Sequence, residues 1–140
     1  MRAAVLGTPA PISAHPLRLA ERNTPQPGPG ELLLEIAACG VCRTDLQIAE
    51  GDLEARLLPI VPGHQAVGRV IAVGDGVADW EIGDRAGVGW MAGACGECGF
   101  CRQGRENLCP AARFTGWDRD GGFAERMTVA AQYAYPLPPD

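Results

Sequence analysis

No part of this 140-residue chain is rich in basic residues, and no stretch is apolar over the length of a membrane span. Phosphate backbones need clustered Lys and Arg, so with a net charge of −5 the chain is a poor match for a nucleic-acid partner. The apolar run at the start is very short and is interrupted by Pro9 and Pro11, so it lacks the longer apolar region of a secretory signal and no export is expected. Without export, a reducing, cytoplasmic setting is the expectation. Six cysteines in that setting point to metal binding ahead of disulfides. Sequence repeats, low-complexity tracts and long amphipathic helices are also missing. The nineteen glycines and twelve prolines are scattered, as in a domain of many short strands and turns.

What the chain does have is a cysteine cluster. Cys95, Cys98, Cys101 and Cys109 follow the pattern C-x2-C-x2-C-x7-C. Four thiolates can close a tetrahedral shell around one zinc ion and leave no open position for substrate, so the cluster reads as structural. An iron–sulfur cluster is the rival occupant, because Pro110 follows Cys109 as in the ferredoxin run C-x2-C-x2-C-x3-C-P. The last spacing is seven rather than three, and no second cluster run follows. The lobe, about residues 91–113, has little apolar content of its own, so a metal is expected to order it.

Around this lobe the periodicity predicts short strands. Residues 31–39 alternate, with Leu32, Leu34 and Ile36 on one face. Residues 67–73, 84–90, 123–129 and 133–136 read as further strands, and the first thirty residues as one or two more. Residues 44–50 suit one or two helical turns stopped by Gly51. The expected fold class is mainly β: a barrel of short strands with short helices and an inserted four-cysteine lobe. The proline-rich stop at 136–140 resembles a boundary between domains, so the chain is expected to be part of something longer.

A second set of ligand-type residues lies upstream, at Cys42, Asp45 and His64. Cys39 and Cys42 form a CxxC ahead of a helical stretch, which also suits a thioredoxin-type redox pair. His64 follows a Pro-Gly turn, a place from which a side chain can enter a cleft. A catalytic zinc takes three protein ligands and keeps one position open. Cys42 and His64 supply two. The third would be Gln65, the weak candidate His15, or a residue beyond position 140.

Taken in order, Gly40-Val41-Cys42-Arg43-Thr44-Asp45, Pro62-Gly63-His64, Gly83-Asp84-Arg85, the four cysteines and Gly121-Gly122-Phe123-Ala124-Glu125 resemble the N-terminal, GroES-like domain of zinc-dependent medium-chain alcohol dehydrogenases. The resemblance spans essentially the whole chain. It implies a partly open GroES-like barrel over residues 1–140, with the dinucleotide-binding domain absent from this chain. It further implies catalytic zinc ligation by Cys42 and His64, and an Asp45 carboxylate that orients the His64 ring. Thr44 would relay the substrate proton, Arg43 would contact the cofactor pyrophosphate, and Trp90 would line the substrate pocket.

The implied activity is interconversion of an alcohol and an aldehyde or ketone with NAD or NADP. It would use one structural and one catalytic zinc, in a homo-oligomer when full length. The only candidate glycine run, Gly87 to Gly93, lacks G-x-G-x-x-G spacing, so this chain alone is expected to be inactive. Two positions depart from the family pattern. Gln65 stands where Glu is usual, and Gln47 where a proton-shuttling His is frequent. A non-catalytic zinc module serving assembly is the alternative from a different class.

Overall fold

The computed structural model describes residues 1–138; Pro139 and Asp140, the end of the proline-rich stop, lie outside the described residues. The chain is mainly β, as expected, and its main sheet curls into a half-barrel. Nine strands and one α-helix are described: β1 (Arg2–Leu6), β2 (Leu17–Glu21), β3 (Glu31–Cys39), α1 (Arg43–Glu50), β4 (Ala66–Val73), β5 (Arg85–Val88), β6 (Met91–Gly93), β7 (Arg113–Phe114), β8 (Arg126–Ala130) and β9 (Ala134–Pro136). Five of these strands form one antiparallel sheet in the order β8-β3-β4-β5-β9. Strands β1 and β2 make a hairpin, and β6 and β7 a separate short ladder.

The alternation read in β3 explains its central place. Leu32 and Leu34 are fully buried and meet Val70 and Ala66 of β4, Ala86 and Val88 of β5, and Met127 and Val129 of β8. Each large side chain of this kind contributes roughly 1.5–3 kcal/mol when removed from water. Register shifts between Leu33 and Leu34, and between Ile36 and Ala38, interrupt the β3–β4 ladder. Bulges of this kind bend a strand and raise its twist, which helps the sheet to curl.

A smaller cluster, Leu6, Ile48 and Ile60, joins the hairpin to α1 and to the segment before β4. Trp90 and Trp117 pack on its edge.

Three differences from the sequence reading have local causes. The strand expected at 84–90 ends at Val88, and after Gly89 and Trp90 the chain continues as β6. The strand expected at 123–129 starts only at Arg126, because the backbone groups of Gly121, Gly122 and Phe123 bond to the segment before β4. Strands β6 and β7 were not foreseen. Three and two residues are too few to show a period of two, yet together they close the neck of the four-cysteine lobe.

Candidate metal centres

Strand pairing brings Cys42 and His64 together. Cys39 at the end of β3 pairs with Ala66 at the start of β4. Gly40 N also donates to Gln65 O at 2.9 Å. The chain leaving β3 and the chain entering β4 therefore run side by side. Cys42 Sγ stands 3.1 Å from His64 Nε2.

Asp45 is the residue that ties this pair together. Cys42 is the N-cap of α1 and Asp45 is the third residue of its first turn. Asp45 Oδ2 accepts the Cys42 N–H at 2.8 Å, the reciprocal half of a capping box. Its other oxygen accepts the Gly63 N–H at 3.2 Å and lies 3.2 Å from His64 Nδ1. The approach to Nδ1 is oblique, an ion-pair contact short of an aligned hydrogen bond. Both carboxylate oxygens are thus engaged, and Asp45 and His64 are buried, only 4% and 5% exposed.

The electrostatics favour the charged partners. Burial pushes the Cys42 thiol up, but the N–H groups of Thr44 and Asp45, the Thr44 hydroxyl and His64 outweigh it, and the thiol is held below its ordinary value. The Asp45 carboxylate holds the His64 imidazole above its ordinary range against the opposing effect of burial. Burial likewise raises Asp45, and His64 with the Cys42 N–H brings it below the usual carboxylate value.

Does this donor set fit a zinc ion? A thiolate and an imidazole on tetrahedral zinc stand about 3.5 Å apart. The 3.1 Å separation observed is slightly tighter and lies within reach of one ion. Among the described residues, Asp45 is the only other Cys, His, Asp or Glu grouped with them. The set therefore fits as a two-ligand centre.

The four cysteines fit a closed centre. Four thiolates at about 2.3 Å from one zinc have tetrahedral edges of about 3.8 Å. Cys98–Cys101, Cys95–Cys109 and Cys95–Cys101 have sulfurs 3.5, 3.6 and 3.9 Å apart. An iron–sulfur cluster would spread the four thiolates over two or four irons and separate the sulfurs on different irons, whereas all four lie within 4.8 Å of one another, so the geometry favours one ion. Backbone N–H groups point at the sulfurs: Cys98 N at Cys95, Cys101 N at Cys98 and Ala111 N at Cys109, at 3.4, 3.5 and 3.3 Å. Such donors favour thiolates. The Cys95 thiol is held down to about 7, chiefly by the N–H groups of Glu97 and Cys98. Burial and the neighbouring Cys98 push Cys101 up to about 12. One cation in their midst would relieve this conflict among crowded thiols.

The remaining sequence candidates are arranged as follows. Thr44 is half-buried in the first turn of α1, against Cys42. Arg43 is exposed, 3.9 Å from Asp52. Gln65 is exposed and lies across Gly40. Exposed His15 is outside the Cys42 group. Cys39 does not pair with Cys42. Its thiol rests against Gly63 and Gly122, and burial pushes it up, unlike a redox nucleophile.

Trp90 meets the His64 ring edge-on, with centroids 4.8 Å apart. It also stacks on Phe114 at 4.8 Å and Trp117 at 5.9 Å. Sequence reasoning missed Phe114, Trp117 and Arg56, whose guanidinium caps the Trp117 ring at 3.7 Å. Only their aromatic and cationic identities hinted at a stack, since Phe114 and Trp117 lie on β7 and the turn after it while Arg56 comes from a distant loop. A cavity of about 730 Å³ lies elsewhere, between Glu31, Trp80, Arg113 and Gln132, and none of its lining residues belongs to either metal group.

A curled half-barrel with a Cys–His pair at its strand ends and a separate four-thiolate lobe defines a zinc-type dehydrogenase domain. The chain belongs to the alcohol dehydrogenase GroES-like domain family, whose model matches residues 28–139. It is 48% identical over 135 residues to "Probable alcohol dehydrogenase AdhA" of Mycobacterium tuberculosis (strain CDC 1551 / Oshkosh), covering 93% of this chain and 39% of that protein. It superposes with a TM-score of 0.91 and 34% identity on the cobalt and zinc bound thermostable alcohol dehydrogenase from Pyrobaculum aerophilum, covering 100% of this chain and 42% of that one. An NAD-dependent alcohol dehydrogenase matches with a TM-score of 0.90 and 32% identity, over 99% of this chain and 40% of its own. The chain spans about two fifths of the length of the curated relatives it matches.

Proposed function

We propose that this chain is the zinc-holding part of an enzyme that interconverts an alcohol and an aldehyde or ketone with NAD or NADP. The observation that carries the reading is the approach of Cys42 Sγ to His64 Nε2, held from behind by Asp45 and flanked by Thr44. Zinc bound there would supply Lewis-acid polarisation of the substrate oxygen. Cys42 and His64 would hold it, and Asp45 would fix the tautomer and direction of the imidazole. Thr44 would accept the substrate hydroxyl's hydrogen bond and pass its proton outward. Trp90 would form one wall for the substrate carbon skeleton. Arg43, exposed and only loosely approached by Asp52, would be free to contact a pyrophosphate.

A third ligand, from Gln65 or from chain beyond residue 140, would complete the catalytic centre. The nicotinamide would bind a separate dinucleotide domain. The four-cysteine lobe would hold a second zinc with a structural role.

Metal analysis and turnover of the full-length protein test the reading. Two zinc ions per chain are expected. His64→Ala should remove one of them together with alcohol-dependent reduction of NAD or NADP. A single ion in the wild type, unchanged in number in His64→Ala, would leave only the four-thiolate lobe and would favour a non-catalytic zinc module.

A further inference from the structure

Three backbone segments meet directly behind His64. Gly121 N donates to Val61 O at 2.7 Å, Phe123 N to Pro62 O at 3.0 Å, and Gly122 N to Gly63 O at 2.8 Å. Every carbonyl of the tripeptide entering His64 is thus held by the same turn. Asp120 Oδ1 adds a fourth tie by accepting the Val61 N–H at 2.9 Å. The turn is anchored in turn to the first strand, where Ala4 N donates to Phe123 O at 2.8 Å and Glu125 grips Arg2.

The contact leaves no room for side chains. A Cβ on Gly121 would stand 2.1 Å from the Gly63 carbonyl oxygen. A Cβ on Gly122 would stand 2.6 Å from the Ala66 Cβ and 2.9 Å from the Cys39 sulfur. The Phe123 ring closes the opposite side, 2.6 Å from where a Gly63 Cβ would lie.

We propose that Gly121, Gly122 and Phe123 are positioning residues for His64, fixing the backbone from which the imidazole reaches the metal. Asp45 restrains the ring and the turn restrains the chain that carries it. A shift of the Gly63 carbonyl moves the next residue's Cα, so the Nε2 atom would leave the 3.1 Å approach to Cys42. The inference rests on the reading of Cys42 and His64 as a metal pair.

Co²⁺ titration of the full-length, metal-stripped protein tests it, since a four-thiolate site and a mixed sulfur–nitrogen site absorb differently. Wild type should fill both sites. Gly121→Ala should weaken the mixed site about 10- to 100-fold and leave the lobe unchanged. Phe123→Leu, which keeps the backbone donors but shrinks the packing, should weaken the same site several-fold. Gly7→Ala, with nothing within 4 Å of the added carbon, should change neither.

A wild type without the mixed site would refute the metal-pair reading itself. A wild type with it, and folded turn variants of equal affinity, would refute the positioning role. Parallel weakening of both sites, or failure of both variants to fold, would show a folding element rather than a positioning one. If only one variant folds, its mixed-site affinity decides.

Discussion

Asp45 Oδ1 lies 3.2 Å from His64 Nδ1 while its partner oxygen caps the helix through the Cys42 nitrogen. One carboxylate therefore sets the relative position of both proposed ligands. Asp45→Ala would leave the Cys42 and Gly63 N–H groups without their acceptor. Each such loss costs about 1–3 kcal/mol when the donor is buried, so urea unfolding should report about 2–4 kcal/mol in total. Metal affinity at the pair should fall about 10- to 100-fold. Asp45→Asn, which keeps an acceptor oxygen, should retain more of the stability. Equal stability of all three proteins would contradict the capping role.

The lobe and the barrel should separate in stability. Cys109→Ser breaks the closed shell, and one metal ion should be released. Amide exchange should then rise between residues 96 and 111. The β6–β7 ladder and the Trp90–Phe114 stack should protect the neck more than the lobe's interior. Loss of protection in β3 and β4 as well would show that the barrel depends on the lobe.

Glu31 and Arg119 offer a pH test remote from both metal groups. Burial raises the Glu31 carboxyl, but the Gly28 N–H and Arg119, at 3.0 and 2.9 Å, outweigh it and hold the pKa below 4.5. A depressed folded-state value means that the stabilisation is present above the unfolded pKa, near 4.5, and is lost as pH falls through the folded value. Glu31→Gln should cost about 0.5–1 kcal/mol at pH 7, solvent screening included. The difference from wild type should shrink steadily below pH 4.5 in metal-free protein. A difference that stays constant down to pH 2 would exclude this linkage.

Trp90 joins the proposed metal pair to the aromatic stack. Trp90→Ala would remove its contacts with His64, Phe114 and Trp117. For this half-buried ring the expected cost is about 2–3 kcal/mol, below the range for fully buried aromatics. Thermal unfolding should show it. Under the proposed activity, KM for alcohols of the full-length protein should change more than metal content does. Unchanged stability would argue against Trp90 as part of the packed wall.

The lobe was the most legible feature, because ligand spacing is local and thiolate chemistry has few readings. Strand β3 was legible from its alternation, and helix α1 from its stop at Gly51. Strands β6 and β7 were not, because such short ladders are made by pairing and not by propensity. The Gly121-Gly122 pair was visible as a turn, but its purpose was hidden, since only the fold puts it against residues 61–63.

Local order along the chain determined which groups are available: four thiols in one loop, a thiol ahead of a helix, a histidine after a Pro-Gly turn. It also determined the β character, through the period of two. The tertiary structure alone decided which groups meet. Cys42 faces His64 because two antiparallel strands bring distant residues side by side, while Cys39, three positions from Cys42, is turned into a glycine-lined niche. Proximity in sequence confines a side chain to a neighbourhood, but packing and backbone hydrogen bonds choose the direction in which it points.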